Sequence, residues 1–242
     1  MRKILTIMIV ALLSVAMSAS AQFVTTGHKS SVNQPVMPNK GWNSLYLEWN
    51  PSSSYDDGDS WNFTGFSVGY NHSFRLSHSK PFYLETGLGL QYSFDNDDYT
   101  YDNWKNSSRQ WFLSAKIPVN LIYAFQIPNS SIILLPYAGL GLRSDFYDNF
   151  KNTIKNLGDN VAYYGINNET VVVAPGEEIT EYSNSSSNID NLSIGCQVGI
   201  KALIAKHILL GAGYHHDIVY INHGVSFKAG YKGGDINIGY VF

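Results

Sequence analysis

What most constrains this chain is a strict alternation of apolar residues with small or polar ones, sustained over one stretch after another. Over 82–94 the even positions are Phe82, Leu84, Thr86, Leu88, Leu90, Tyr92 and Phe94, and the odd ones are Tyr83, Glu85, Gly87, Gly89, Gln91 and Ser93. A period of two sends the two sets to opposite faces of a β-strand. The pattern recurs over 62–74, with Phe66, Val68, Tyr70, His72 and Phe74 opposite Gly65, Ser67, Gly69, Asn71 and Ser73. Over 110–123, Trp111, Leu113, Ala115, Ile117, Val119, Leu121 and Tyr123 oppose Gln110, Phe112, Ser114, Lys116 and Asn120. Segments 134–146 and 191–204 repeat the design, and shorter runs at 45–49, 208–218 and 235–242 bring the expected strands to eight. Residues 225–231 also alternate; we read 221–233 as the loop and extension of the last hairpin, because an even strand count returns the C-terminus to the side where the chain began.

The connections alternate too. Those at 77–80, 126–131 and 205–207 are short, whereas 51–60, 95–108 and 147–188 are long and rich in Asp, Asn and Ser. Short turns at one end and elaborated loops at the other are the pattern of barrels that cross a bacterial outer membrane.

A soluble barrel would show the same alternation with its apolar face turned inward. Three features favour the membrane. The polar face carries Gly65, Gly69, Gly87, Gly89, Gly139, Gly141, Gly195, Gly199, Gly211 and Gly213, where a solvated exterior would carry Lys, Glu and Thr. Glycines there leave room for bulky neighbours in a narrow lumen. Aromatic residues gather at the expected strand ends, as at Trp61, Phe74, Phe82, Phe94, Trp111, Tyr123 and Phe146, where rings meet lipid headgroups. The longer runs also reach the roughly 9 to 11 residues that a tilted crossing requires. The expectation is an all-β fold, an eight-stranded antiparallel transmembrane β-barrel with short periplasmic turns and long extracellular loops.

Residues 1–21 read as a secretory signal: Arg2 and Lys3, an apolar stretch from Ile4 to about Ala16, then Ala19-Ser20-Ala21. This apolar run is shorter than the roughly 20 residues of a membrane-spanning helix. Residues 22–40, which contain Pro35 and Pro38, are expected to be a flexible periplasmic segment, and 41–242 the barrel, with 147–188 its longest extracellular loop. Only 14% of residues are charged, against about 25% in ordinary soluble domains. Sixteen Lys and Arg against 19 Asp and Glu give nothing to attract nucleic acid. The single Cys196 excludes an intramolecular disulfide, and on the outward face it reads as a small hydrophobe.

The signal, the eight runs and the terminal Asn237-Ile238-Gly239-Tyr240-Val241-Phe242 together resemble the small outer-membrane β-barrel families of Gram-negative bacteria, of the OmpA-transmembrane-domain and OmpX type, often described as porin-like. The resemblance implies residence in the cell outer membrane after secretion through the inner membrane, with lipid as a partner. It also implies that Tyr240 and Phe242 form a signal read by the barrel-assembly machinery. Activity does not follow from it, since one scaffold hosts many functions.

Motifs of chemistry are weak. Gly87-Leu88-Gly89 and Gly139-Leu140-Gly141 lie within strands and do not complete a nucleotide-binding turn. Asp95-Asn96-Asp97-Asp98 opens like a calcium loop but has Thr100 where Gly is needed and Asn106 where Glu is needed. His215 and Asp217 share the lumen face and His216 looks outward, which defines no triad without a placed Ser. No catalytic, cofactor-binding or metal-ligating set is expected. Glu85, Lys116, Arg143, Asp145, Lys201 and Asp217 do fall on the glycine-rich face, and they predict a polar network filling the lumen. Folding the hairpin about 95–108 sets Glu85 diagonal to Lys116. The expected function is non-enzymatic: a barrel displaying extracellular loops, with an extracellular ligand at 147–188, for surface interaction or envelope integrity. A small solute channel and a lipid-modifying barrel enzyme are the alternatives.

Overall fold

The computed structural model describes residues 40–55, 62–77, 79–160, 162–166, 169–185, 191–222, 225–227 and 230–242. The signal, residues 22–39 and the girdle candidate Trp61 lie outside them. Among the described residues thirteen strands follow in order: β1 Gly41–Tyr55, β2 Asn62–Arg75, β3 Phe82–Tyr101, β4 Trp104–Tyr123, β5 Phe125–Gln126, β6 Ile132–Asn156, β7 Ala162–Ile166, β8 Glu169–Val173, β9 Glu178–Ser185, β10 Asn191–Ile204, β11 Ile208–Asn222, β12 Val225–Phe227 and β13 Gly230–Val241. Eight of them form a closed antiparallel ring in the order β10, β11, β13, β1, β2, β3, β4, β6, with β6 pairing back onto β10. Closure removes the free edges that an open sheet would offer to other chains.

The alternating faces segregate as expected but inside out relative to a soluble protein. Leu47, Phe66, Leu88, Leu121, Leu140, Val198, Ile236 and Ile238 are exposed on the exterior, while Ser67, Asn71, Glu85, Gln91, Ser114, Asn120 and Asn237 are buried within. A continuous apolar belt of this kind is unstable in water and suits hydrocarbon. Aromatic pairs rim it. Phe82 meets Tyr123 at 4.8 Å and Tyr123 meets Phe125 at 4.4 Å at the end with the short turns, while Tyr92 meets Trp111 at 5.7 Å and Trp111 stacks on Tyr147 at 5.0 Å at the other. Three of the expected strand ends are not ends: Phe94 and Trp111 pair with each other in mid-ladder within β3 and β4, and Phe146 sits within β6 at a bulge, where Leu113 pairs with Tyr147 and Ser114 with Asp145.

The segments read as long loops are largely β-structure. β3 and β4 remain paired up to Tyr101 and Trp104, leaving only Asp102 and Asn103 as the turn, with Asp102 at φ 50°. β6 runs for 25 residues and carries β9 on its edge, from Asp148 opposite Ser185 to Lys155 opposite Glu178. Much of 147–188 is therefore ladder rather than loop, and β7 and β8 form the small hairpin at its tip. Asp, Asn and Ser disfavour strands on propensity, but pairing overrides it: β4 and β6 are flanked on both sides, and the edge strands β3 and β9 are each held by one paired neighbour. The last hairpin departs from its expected bounds as well: β13 begins at Gly230 rather than Asp235, and β12 pairs with the end of β11 outside the ring.

The short turns include one with strained chemistry. His207 N–H donates to the Ile204 carbonyl at 3.2 Å, and the two central residues, Ala205 and Lys206, hold φ of 50° and 70°. Two positive φ values are the arrangement of a type I′ hairpin turn, normally given to Asn and Gly.

Candidate functional site

The lumen is built in layers. At the end with the short turns Trp42, Tyr83, Ile122, Ile133, Leu135, Leu203, Leu209 and Val241 form a buried apolar cluster, with Trp42 and Tyr83 rings 4.7 Å apart. The interior face is thus not polar throughout, although alternation alone suggested so.

Above this floor two tyrosines lie across glycines. Tyr46 pairs with Gly69, which pairs with Gly89, so the three form one row across β1, β2 and β3. Tyr137, Gly199 and Gly213 form the equivalent row across β6, β10 and β11. A Cβ on Gly69 would stand 2.5 Å from the Tyr46 ring, and one on Gly213 would run into the Tyr137 hydroxyl. Those glycines are required because the rings occupy the space that side chains would fill.

The charged residues come next. Lys201 Nζ donates to Glu85 Oε1 at 2.6 Å, and Asn120 Nδ2 donates to the same oxygen at 3.1 Å. Lys116 Nζ donates to Glu48 Oε1 at 2.7 Å, and Asn50 donates to Glu48 at 2.7 Å, to Ser67 at 3.0 Å and to Gln91 at 3.3 Å. Arg143 is the hub nearest the mouth opposite the short turns. Its guanidinium reaches Asp145 at 3.1 Å, Asp217 at 3.0 Å and the Ser193 hydroxyl at 3.2 Å, and lies 3.9 Å from the centre of the Tyr231 ring. Tyr231, Phe63 and Phe112 pack edge to face or tilted over it, at 5.2 to 5.7 Å. The space left among these groups is about 70 Å³.

All six residues singled out from the sequence are inside the barrel, but the expected approach of Glu85 to Lys116 is replaced by two other pairs. Glu85 stands opposite Asn120, two residues from the position expected, because the β3–β4 turn is at Asp102 and Asn103 rather than centred between 95 and 108. Its partner is Lys201, on a strand three places away around the ring, and the partner of Lys116 is Glu48, likewise three places away. Glu48 was missed although it lies on the non-apolar positions of the run through Leu45, Leu47 and Trp49. Asp217 is held by Arg143 and by the Tyr231 backbone N–H, at 3.0 Å each. His215 lines the same lumen, while His216 pairs with Cys196 in register on the exterior. Among the described residues no group of His, Cys, Asp and Glu has a metal-binding arrangement. Tyr240 is exposed on the outer face, and Phe242 N–H donates to the Asn43 carbonyl at 3.1 Å, fixing the chain end to β1.

Beyond the aromatic lid the barrel opens into a vestibule of about 670 Å³ lined by Asp95, Asp97, Asp145 and Asp148 with Tyr99 and Tyr220. Bulges turn two of these inward. One, on β6, redirects Asp148; the other, where Ile194 pairs with Val219 and Gly195 with Asp217, redirects Tyr220.

Comparison with known proteins agrees with this architecture. A family profile described as "Outer membrane protein beta-barrel domain" matches residues 8–242. Among curated proteins, no sequence matches. Solved structures similar to the chain include Ail, the attachment invasion locus protein of Yersinia pestis (12% identity, TM-score 0.37, 84% of this chain and 99% of that one). Neisserial surface protein A (13%, TM-score 0.34, 83% and 97%) and the N-terminal β-barrel domain of Pseudomonas aeruginosa OprF (13%, TM-score 0.30, 84% and 100%) are others. With a match over nearly its whole length, the chain belongs to the outer membrane protein β-barrel domain family, and it is an integral protein of the Gram-negative outer membrane.

Proposed function

We propose that this protein is a non-enzymatic barrel, closed to solutes by its own side chains, that displays a β-structured projection for surface interaction or envelope integrity. The observation that carries this reading is the Arg143 hub, which ties β6, β10, β11 and β13 together across the lumen above an apolar floor. Eight strands enclose an interior only wide enough for side chains, and the residual space of about 70 Å³ holds no more than a few water molecules. Asp217, the carboxylate next in sequence to the two adjacent histidines, is committed to Arg143, which disfavours acid–base work there. In this reading residues 1–21 are the cleaved signal, 22–40 a periplasmic segment, and the strand ending in Tyr240 and Phe242 the element that the assembly machinery recognises. The projection formed by β3, β4, β6 and β9 is where an extracellular partner would meet the protein.

Purified protein in a planar bilayer tests the closed lumen. The expected record is electrically silent, with brief currents in Arg143→Ala. Steady conductance of the wild type would replace this reading with a solute channel. Shortening 157–177 should abolish a surface phenotype while leaving assembly intact, and a change in envelope lipid mass on removing the protein would instead indicate an enzyme.

A further inference from the structure

The outward face of the projection carries an arrangement that folding alone does not explain. Above the Trp111–Tyr147 stack, outward residues of β4, β6 and β9 form three rows in register. The lowest is Arg109, Lys151 and Tyr182; the middle is Ser107, Thr153 and Thr180; the uppermost is Lys105, Lys155 and Glu178. Two rows therefore set a cation directly beside another cation, a placement that destabilises a sheet. Asp98, opposite Ser107, and Glu178 are the carboxylates nearest in register, leaving the cations in excess. Among the described residues none of the four cations lies within 4.0 Å of a carboxylate. Lys151 hovers over the Tyr182 ring at 5.6 Å, and the Thr153 and Thr180 hydroxyls are 3.1 Å apart. The result is a shallow hollow with hydroxyls along its centre and positive charge on both sides.

We propose that this face binds the phosphate groups of the phosphorylated glycolipids that make up the outer leaflet. The first row stands two residues beyond Trp111 and the third six residues beyond it, roughly 7 Å and 20 Å along the tilted strand, which starts the cations at the level where girdle aromatics meet lipid headgroups and carries them outward from it. The opposite face of the same sheet lines the acidic vestibule, so the charge is segregated toward the lipid side. Cations beside a phosphate gain electrostatically, and hydroxyls between them supply neutral donors. The inference rests on the projection being extracellular, as read above.

The test uses full-length protein refolded into neutral lipid vesicles and a labelled lipid A-type glycolipid carrying two phosphates, with the dephosphorylated form as comparison. Arg109→Gln, Lys105→Gln, Lys151→Gln and Lys155→Gln combined should weaken binding at least about tenfold and flatten its salt dependence. Lys80→Gln with Lys206→Gln, at the opposite end, should leave binding unchanged. Equal binding of the dephosphorylated glycolipid, or full binding by the fourfold variant, would overturn the proposal. Displacement of the glycolipid by inorganic phosphate at similar concentration would overturn the lipid assignment and leave a free-anion site. Assembly is followed in parallel by the mobility difference between boiled and unboiled protein, and lumen closure by bilayer recording, so a failure of the closed-barrel reading registers in different measurements.

Discussion

Removing Lys201 should be among the most damaging single changes in this barrel that leave its lipid face untouched. Lys201 and Glu85 lie 2.6 Å apart with side chains only 7% and 1% exposed. Once the ammonium is gone, the carboxylate keeps Asn120 as donor to Oε1, while Oε2 has no hydrogen-bond partner among the described residues. Leaving one member of a buried pair uncompensated costs about 3 to 5 kcal/mol, and burial this deep puts Lys201→Met toward the full value. The Lys116–Glu48 pair, at 23% and 12% exposed, admits more water and has Asn50 as a second donor to the carboxylate, so Lys116→Met should cost less, about 1 to 2 kcal/mol. The comparison that isolates charge from packing is the double variant Lys201→Met with Glu85→Leu, which removes both charges and should recover to within about 1 kcal/mol of wild type. Urea unfolding in vesicles, read by the fraction that migrates as folded barrel on an unboiled gel, measures all four proteins. A Lys201→Met variant within about 1 kcal/mol of wild type, or a double variant no better than the single, would show that the pair does not govern lumen stability.

Other substitutions probe the faces and the turns. Leu88, exposed on the lipid face near the middle of its crossing, should lose about 2 to 4 kcal/mol on replacement by Arg, whereas Gln91→Ala should be milder; equal losses in the same urea assay would mean the faces are reversed. Gly69→Ala should cost about 1 to 3 kcal/mol, because its Cβ meets the buried Tyr46 ring. Gly141→Ala, whose Cβ would find its nearest neighbour at 3.4 Å, should be nearly neutral, and matching unfolding midpoints would argue against the tyrosine-over-glycine packing. Lys206→Gly should stabilise by about 1 kcal/mol by relieving a left-handed backbone, and a lowered midpoint would refute that account of the turn.

How much of this was legible beforehand follows from the range over which each signal acts. Alternation is local: it places Leu88 outward and Gln91 inward whatever the rest of the chain does, and it identified the lumen side of Glu85, Arg143 and Lys201 from parity alone. The glycines on the inner face likewise announced a crowded interior. Partnership is not local. Glu85 and Lys201 are 116 residues apart, and Lys116 and Glu48 are 68 apart; they meet because closing the ring brings strands three places apart face to face across the lumen, a distance that no hairpin count reveals. Register depended on one turn, and placing it at Asp102 and Asn103 moved Glu85 by two residues. Two bulges invert parity, so Asp148 and Tyr220 face a vestibule that simple alternation would not have built. Propensity also misjudged the projection, where β4 and β6 are flanked on both sides and hold the Asp-, Asn- and Ser-rich edge strands β3 and β9 through one paired neighbour each. The sequence by itself determined which face of each strand meets lipid, since hydrophobic burial acts residue by residue. Only the closed tertiary structure decided which charges neutralise one another, since that depends on the stagger of the whole ring.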